Sequence, residues 1–367
     1  MKILYVTTIS LTMNSFFKPH IEMLVREGNQ VDIACNYKDL PLDHLYGELG
    51  CMAYQVDFSR SPLSSDNLKA FRQLRKVVEN GQYDIVHCHT PNASVITRLV
   101  CQAFRKKNGL KVFYTAHGFH FFKGAPKVNW LVYYPVEKLC SYFTDKLVTI
   151  NREDYALAQK KFEAKEVYYI PGVGIDLSRF ANIQVDRKVK RREIGIPEDA
   201  TLLLSVGELN ENKNHQILIR AMAALRNSKL HYMIAGTGDQ YDVLQCLADD
   251  MGLHENVHLL GYRKDVHELY EISDIFCHPS HREGLPVSLM EAMAHGKPAV
   301  CSRIRGNTDL IDDKGGKLFD SSSLECCVDA LKELLQSHYI EMGKHNAEVI
   351  KDFGIDAIKD CLRKLYA

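Results

Sequence analysis

No stretch of this chain approaches the ~18 consecutive apolar residues that a membrane-spanning helix requires, so no segment is expected to cross a bilayer. There is no excess of charge either: 46 Lys and Arg meet 46 Asp and Glu, and no nucleic-acid partner is expected. Disulfide spacing is missing too. The 11 cysteines are odd in number and scattered, with Cys326 and Cys327 adjacent. That usage fits free thiols in a reducing cytoplasm rather than a disulfide framework. No Gly-x-Gly-x-x-Gly follows the first strand-like run, which makes a dinucleotide oxidoreductase remote. Asp-x-Asp, a common way to hold a metal, occurs nowhere, and neither metal nor cofactor is expected. His87-Cys88-His89 and His117-x-x-His120 lack a completing set and read better as buried or cleft histidines than as zinc ligands. No Ser-His-Asp order or thiol–histidine arrangement marks a covalent system.

A length of 367 residues exceeds what one core usually supports, so two domains are expected. Apolar runs near 2–6, 31–35, 84–88, 111–115, 146–150 and 167–170 alternate with helical patterns. Runs near 201–206, 230–235, 256–260, 274–278 and 298–301 repeat the alternation. This predicts α/β architecture with two doubly wound, Rossmann-like domains built on parallel sheets. Lys2 to Ser10 could pass for a short signal peptide, but Thr7 and Thr8 break it and a buried first strand explains it better. Asp66 is placed to cap a helix carrying Leu68, Phe71, Leu74, Val77 and Val78, and Asn151 to cap another. Pro171-Gly172-Val173-Gly174 punctuates the pattern as a hinge. The expected divisions are 1–172, 173–353 and a final helix, 354–367, that crosses back to the first domain. Ligands of such sheets bind beyond the strands' carboxyl ends, so a cleft between the domains is the expected site. The basic run Arg187 to Arg192 reads as a solvated helix face in preference to a phosphate or membrane contact.

The most informative stretch is Glu283-Gly-Leu-Pro-Val-Ser-Leu-Met-Glu291. Gly284 and Pro286 mark a loop turning into a helix, and Leu289, Met290 and Met293 supply an apolar face. A helix start offers free N–H groups and a positive dipole end, suited to a diphosphate. Eight helical residues would span roughly 12 Å, placing one carboxylate at each end of an elongated ligand. Carboxylates accept hydrogen bonds from hydroxyls, so the pattern fits a nucleotide-sugar. A capped amphipathic helix with two surface glutamates fits the spacing equally well.

In the setting Pro279-Ser280-His281-Arg282-Glu283-Gly284-Leu285-Pro286, this segment resembles the donor-site motif of retaining glycosyltransferases of family 4, which have the GT-B architecture of two facing Rossmann-like domains. Gly207-Glu208-Leu209 with Lys213, Gly236-Thr237-Gly238, Gly261-Tyr262-Arg263, Ala116-His117-Gly118 and Ile170-Pro-Gly-Val-Gly-Ile-Asp176 match in the same order. The resemblance covers nearly the whole chain and implies an acceptor-binding first domain and a donor-binding second. It implies that Glu283 meets the transferred sugar, that Glu291 meets the ribose, and that Lys213 contacts the diphosphate. Gly284, Leu285, Pro286 and Val287 would form the donor loop and helix start, with Arg282 a second cation. Gly236 and Gly238 would face the nucleotide, Tyr262 and Arg263 would lie near the base, and His117 would lie near the sugar. Two places depart from the family. Glu208 stands where many members carry Arg, and the loop Ile9 to Ser15 lacks the usual glycine pair.

The implied activity is metal-independent, retaining transfer of a hexosyl or N-acetylhexosaminyl group from a UDP-sugar. The implied acceptor is a saccharide on undecaprenyl diphosphate, in capsule, exopolysaccharide or O-antigen assembly. The expected location is the cytoplasm, with peripheral contact at the cytoplasmic face of the plasma membrane. Phe119 to Phe122, Trp130, Tyr133 and Tyr134 beside Lys123 and Lys127 suit such contact, though packing against their own domain is favoured slightly. A nucleotide-sugar 2-epimerase and a non-catalytic nucleotide-sugar-binding subunit are the competing readings.

Overall fold

Short apolar runs build the strands, as their β-branched and aliphatic content dictates for a sheet buried on both faces. A computed structural model describes residues 1–180 and 183–367. The first sheet contains β1 (Lys2–Ile9), β2 (Gln30–Asn36), β3 (Ala53–Gln55), β4 (Ile85–His89), β5 (Lys111–Ala116), β6 (Lys146–Thr149) and β7 (Glu166–Tyr169). Its order is β3-β2-β1-β4-β5-β6-β7, and every pairing is parallel. The second sheet contains β8 (Thr201–Val206), β9 (Leu230–Ala235), β10 (Val257–Gly261), β11 (Ile275–His278), β12 (Ala299–Ser302) and β13 (Gly316–Phe319). Its order is β10-β9-β8-β11-β12-β13, again all parallel.

Two sequence expectations miss whole strands. β3 and β13 are edge strands of three and four residues, too short and too polar to register as apolar runs. Other differences are local. Ser10–Phe16 is helical rather than a loop. Ser65 precedes the helix Asp66–Gly81, and Leu68 is exposed, outside its buried face. Asn151 does cap its helix, accepting from the Asp154 N–H at 2.8 Å. The helix Arg187–Ile194 is less solvated than its six charges suggest. Arg191 is buried on the carbonyls of Ile272 and Ala200, and Lys190 pairs with Asp265 at 2.7 Å.

The chain divides into two units, Met1–Gly174 with Ile358–Ala367, and Ile175–Ala357. The last helix, Ile355–Tyr366, contributes Ile358, Leu362, Leu365 and Tyr366 to the core beneath β1 and β4. Its Tyr366 hydroxyl donates to Tyr5 at 2.9 Å and meets His87 Nδ1 at 2.5 Å. Among the described residues no helix is long and apolar enough to cross a membrane. Leu365 is fully buried, so Leu365→Ala should cost about 2–5 kcal/mol in urea unfolding of the first unit. A loss below about 0.5 kcal/mol would mean that this helix does not support the core.

Candidate active site

In each sheet the strand order reverses beside the first strand, and in open parallel sheets ligands bind at the carboxyl ends there. For the second unit that point lies between β8 and β11. The chain leaving β8 runs through Gly207-Glu208-Leu209 into a 3₁₀ turn, Glu211–Lys213. Asparagines shape the turn, because their side chains bond to nearby backbone and tolerate left-handed conformation. Asn210 accepts from the Lys213 N–H at 3.1 Å, and Asn214 adopts φ +52°. Asn212 Nδ2 donates to the Arg282 carbonyl at 3.0 Å, and the His281 N–H donates to the Asn212 carbonyl at 2.8 Å. The loop after β11 is thereby fastened to the turn after β8.

These ties bring Lys213 Nζ to 2.8 Å from Glu283 Oε1. His278, the last residue of β11, contacts the same oxygen through Nε2 at 3.2 Å, with Ser280 Oγ 3.3 Å from that nitrogen. Burial pushes the Glu283 carboxyl up, but His278 and Lys213 pull it further down, to about 2. Burial also holds His278 below the ordinary histidine range, which leaves the Lys213 ammonium as the ion-pair partner of Glu283. Buried Arg305 donates from Nε to the Glu283 carbonyl at 3.1 Å, fixing the backbone.

Glycine is required where loops touch. A Cβ on Gly236 would lie 1.8 Å from the Gly207 carbonyl oxygen, and one on Gly238 would lie 2.1 Å from that of Leu209. The Leu209 N–H donates to the Thr237 carbonyl at 2.9 Å, closing the two loops together. The need for Gly236 and Gly238 is therefore met by the chain's own backbone. Gly284 similarly abuts Gly306, whose Cβ would lie 2.4 Å from the Gly284 carbonyl oxygen.

The two glutamates do not cap the ends of one helix. Pro286 is the N-cap and the helix is Val287–Ala294, so Glu283 lies in the preceding loop and Glu291 is the fifth helical residue. Gly284 and Leu285 complete that loop, while Pro286 is buried and Val287 exposed at the helix start. Glu291 accepts from the Tyr270 hydroxyl at 3.1 Å. Burial raises its carboxyl pKa, with Tyr270 and Arg179 opposing. The two acids thus differ, Glu283 firmly ionised and Glu291 protonating more readily. Arg282 is exposed, and among the described residues its side chain has no ion-pair partner. Tyr262 is 73% exposed. Arg263 is held by Asp265 through two contacts, of 2.7 and 2.5 Å. Glu208 is exposed and not drawn into the pair.

In the first unit His117 follows β5 and meets His89 Nδ1 through Nε2 at 3.3 Å. His20 and His87 complete a cluster around a cavity of about 20 Å³. Burial, and the presence of His20, lowers the His117 pKa to about 4, so the ring is neutral at pH 7. His87 is bonded on both nitrogens, to Tyr366 and Thr115. His89 Nε2 is buried without a partner among the described residues. Thr90, at the reversal beside β1, adopts φ +67°, unusual for a β-branched residue. Its hydroxyl lies 2.8 Å from that of Thr8.

Sequence reasoning missed His278, Arg305 and Tyr270. His278 had one signal, its place at the end of a strand five residues before Glu283. The other two act through tertiary contacts that no local pattern announces.

Two such units are the ingredients of a GT-B enzyme, and comparison with known proteins makes the assignment. Residues 2–151 match the family described as glycosyl transferase 4-like, and residues 186–352 match glycosyl transferases group 1. EpsD of Bacillus subtilis (strain 168), provisionally named a glycosyltransferase, is 36% identical over 99% of this chain and 92% of its own length. An Escherichia coli α-1,3-galactosyltransferase, named for UDP-Gal and α-D-GlcNAc-diphosphoundecaprenol, is 26% identical over 94% of this chain and 90% of its own. Among solved structures, Anabaena Alr3699/HepE in complex with UDP superimposes with TM-score 0.81 at 17% identity, covering 100% of this chain and 99% of that one. The lipopolysaccharide-biosynthesis glycosyltransferase WaaG gives 0.72 at 19%, covering 99% of each chain. The chain belongs to the group 1, family-4-like glycosyltransferases and has the GT-B fold.

Because the Glu283 carboxyl is lowered from 4.5 to about 2, the stability it contributes is present above about pH 4.5 and lost as pH falls through about 2. The stability difference between wild type and Glu283→Gln should therefore narrow across that window in acid titrations followed by circular dichroism. A constant difference would contradict the buried ion pair. Gly238→Ala should destabilise the second unit by about 1–3 kcal/mol, since the added methyl strikes backbone. An unchanged melting temperature would refute the close approach.

Proposed function

We propose that the chain is a retaining, metal-independent glycosyltransferase that uses a UDP-sugar and extends a saccharide carried on a polyprenyl diphosphate. The observation that carries this reading is the Lys213–Glu283 ion pair at the strand-order reversal of the second unit. An ammonium beside the carboxyl ends of the strands is suited to the charge that develops on a departing diphosphate. The absence of Asp-x-Asp from the sequence leaves that task to Lys213, with exposed Arg282 and the start of the helix Val287–Ala294 as further support. Glu283, ionised and fixed through Arg305, would accept hydrogen bonds from the transferred sugar's hydroxyls. Glu291, steadied by Tyr270, would accept from the ribose. Neutral His117 would bond the sugar or orient the acceptor.

In this mechanism the acceptor hydroxyl attacks the anomeric carbon from the side of the leaving group. The departing phosphate oxygen takes its proton as the carbon–oxygen bond to the diphosphate breaks, and configuration is retained. The donor and acceptor classes draw support from the E. coli relative's name, and the family membership supports assignment of the first unit to the acceptor and the second to the donor. Capsule, exopolysaccharide and O-antigen assembly are the settings this chemistry serves.

Lys213→Ala should lower turnover by about 10²–10³ in a radiolabelled transfer assay with a UDP-sugar panel and polyprenyl-diphosphate acceptors. Lys213→Arg should recover part of the loss, since charge is kept while geometry changes. Turnover should also survive exhaustive EDTA treatment. Loss in EDTA with rescue by magnesium or manganese would overturn metal independence, and near-wild-type Lys213→Ala would remove the proposed role of Lys213.

A further inference from the structure

The helix Lys127–Ser141 is apolar on both faces although it lies at the surface. One face packs inward, with Trp130, Tyr133 and Tyr134 against the first unit's core. The opposite face presents Val128, Leu131, Val132, Val136 and Leu139, with Tyr142 just beyond the helix, all exposed. Leu131 is 76% and Leu139 56% exposed. Their spacing of three and four residues makes one continuous stripe. A surface helix normally turns polar residues to water, and a contiguous exposed apolar stripe marks a site of interaction.

The charges around the stripe indicate what it meets. Residues 91–142 hold eight Lys and Arg but a single acid, Glu137. That acid is buried and paired with Arg98 at 2.9 Å. Lys123 and Lys127, just before and at the start of the helix, are exposed, and their ammonium groups make no ion pair among the described residues, although the Lys123 backbone N–H donates to Glu153 at 2.9 Å. The helix Pro91–Asn108 packs against both Lys127–Ser141 and Asp66–Gly81. It carries exposed Lys106 and Lys107, also without acidic partners among the described residues. Lys106 and Arg75 line an open groove of about 370 Å³ together with Phe71, Leu99, Gln102 and Ala103. Lys138 of the same helix pairs with exposed Glu163 at 2.6 Å, but apolar side chains flanked by the four unpaired lysines, with no exposed carboxylate within residues 91–142, complement a plane of hydrocarbon and phosphate.

We propose that this face docks on an anionic phospholipid bilayer, with the stripe in the headgroup–acyl boundary and the lysines on lipid phosphates. The inference rests on the polyprenyl-linked acceptor reading and deepens it by naming the surface that brings the enzyme to a membrane-borne substrate. The rings Trp130, Tyr133 and Tyr134 hold the helix to its own unit, the packing that the sequence slightly favoured over a membrane contact. The aliphatic residues between them do the docking.

The test is co-sedimentation of the full chain with vesicles of phosphatidylglycerol and phosphatidylcholine, and with phosphatidylcholine alone. Wild type should bind the anionic vesicles, less tightly as salt rises. Leu131→Asp with Leu139→Asp should weaken binding at least tenfold at an unchanged melting temperature, because both residues are exposed. Lys106→Gln with Lys127→Gln should weaken binding to anionic vesicles several-fold and remove their advantage over neutral ones. UDP affinity, measured in parallel by calorimetry, should be equal in all three proteins. A wild type that stays in the supernatant, or a Leu131→Asp/Leu139→Asp variant that binds as well as wild type, would overturn the proposal. So would light scattering that finds a dimer split by the leucine substitutions without vesicle binding, since a second copy would then cover the face. Failure to bind UDP would count against the donor-site reading and leave the vesicle result to stand by itself.

Discussion

A lysine and a glutamate taken out of water must be held together, and the second unit is organised to do that for Lys213 and Glu283. The pair costs desolvation that only good geometry offsets. The geometry comes from asparagines that bind the turn after β8 to the loop after β11, and from Arg305 beneath the glutamate's backbone. Gly207 takes part as well. A Cβ there would approach Lys213 Cε to 3.3 Å, so its absence leaves room for the lysine stem. Removing either charge would strand the other, which makes the pair a constraint on folding as well as a candidate for chemistry.

An ion pair of this kind is also a means of preorganisation. The ammonium is held at the carboxyl edge of the sheet before any ligand arrives, so little reorganisation is needed when charge develops on a leaving group. The two glutamates then take different parts. Glu283 is held ionised by neighbours that outweigh its burial, whereas burial prevails at Glu291. At the first unit's reversal point the side chains that gather are histidines. His87, His89 and His117 are neutral through burial, and they offer directional hydrogen bonds.

Much of the architecture was legible in the sequence, because strands buried on both faces read as apolar runs and parallel sheets need helices between them. The strands that escaped, Ala53–Gln55 and Gly316–Phe319, are edges whose pairing depends on their neighbours more than on their own residues. The Glu283 motif, Lys213 and the glycines could be singled out by their order along the chain. Their mutual contacts could not, since the partners lie 70 residues apart. The expectation of a helix running from one glutamate to the other failed because Pro286 starts the helix three residues after Glu283. The basic run at 187–192 misled in the same way. Local pattern reports charge, whereas burial of Arg191 depends on carbonyls at Ile272 and Ala200 that only the tertiary fold supplies.

The central claim is that Lys213 is poised between Glu283 and a ligand diphosphate. It is tested most directly by titrating the Glu283 carboxyl by carbon-13 NMR, in EDTA, with and without saturating UDP. The account predicts a carboxyl pKa near 2 in the free protein and a clear upward shift with UDP, as the diphosphate draws the ammonium away and adds its own negative charge. A Glu283 carboxyl that titrates identically in both states while UDP is bound would contradict it.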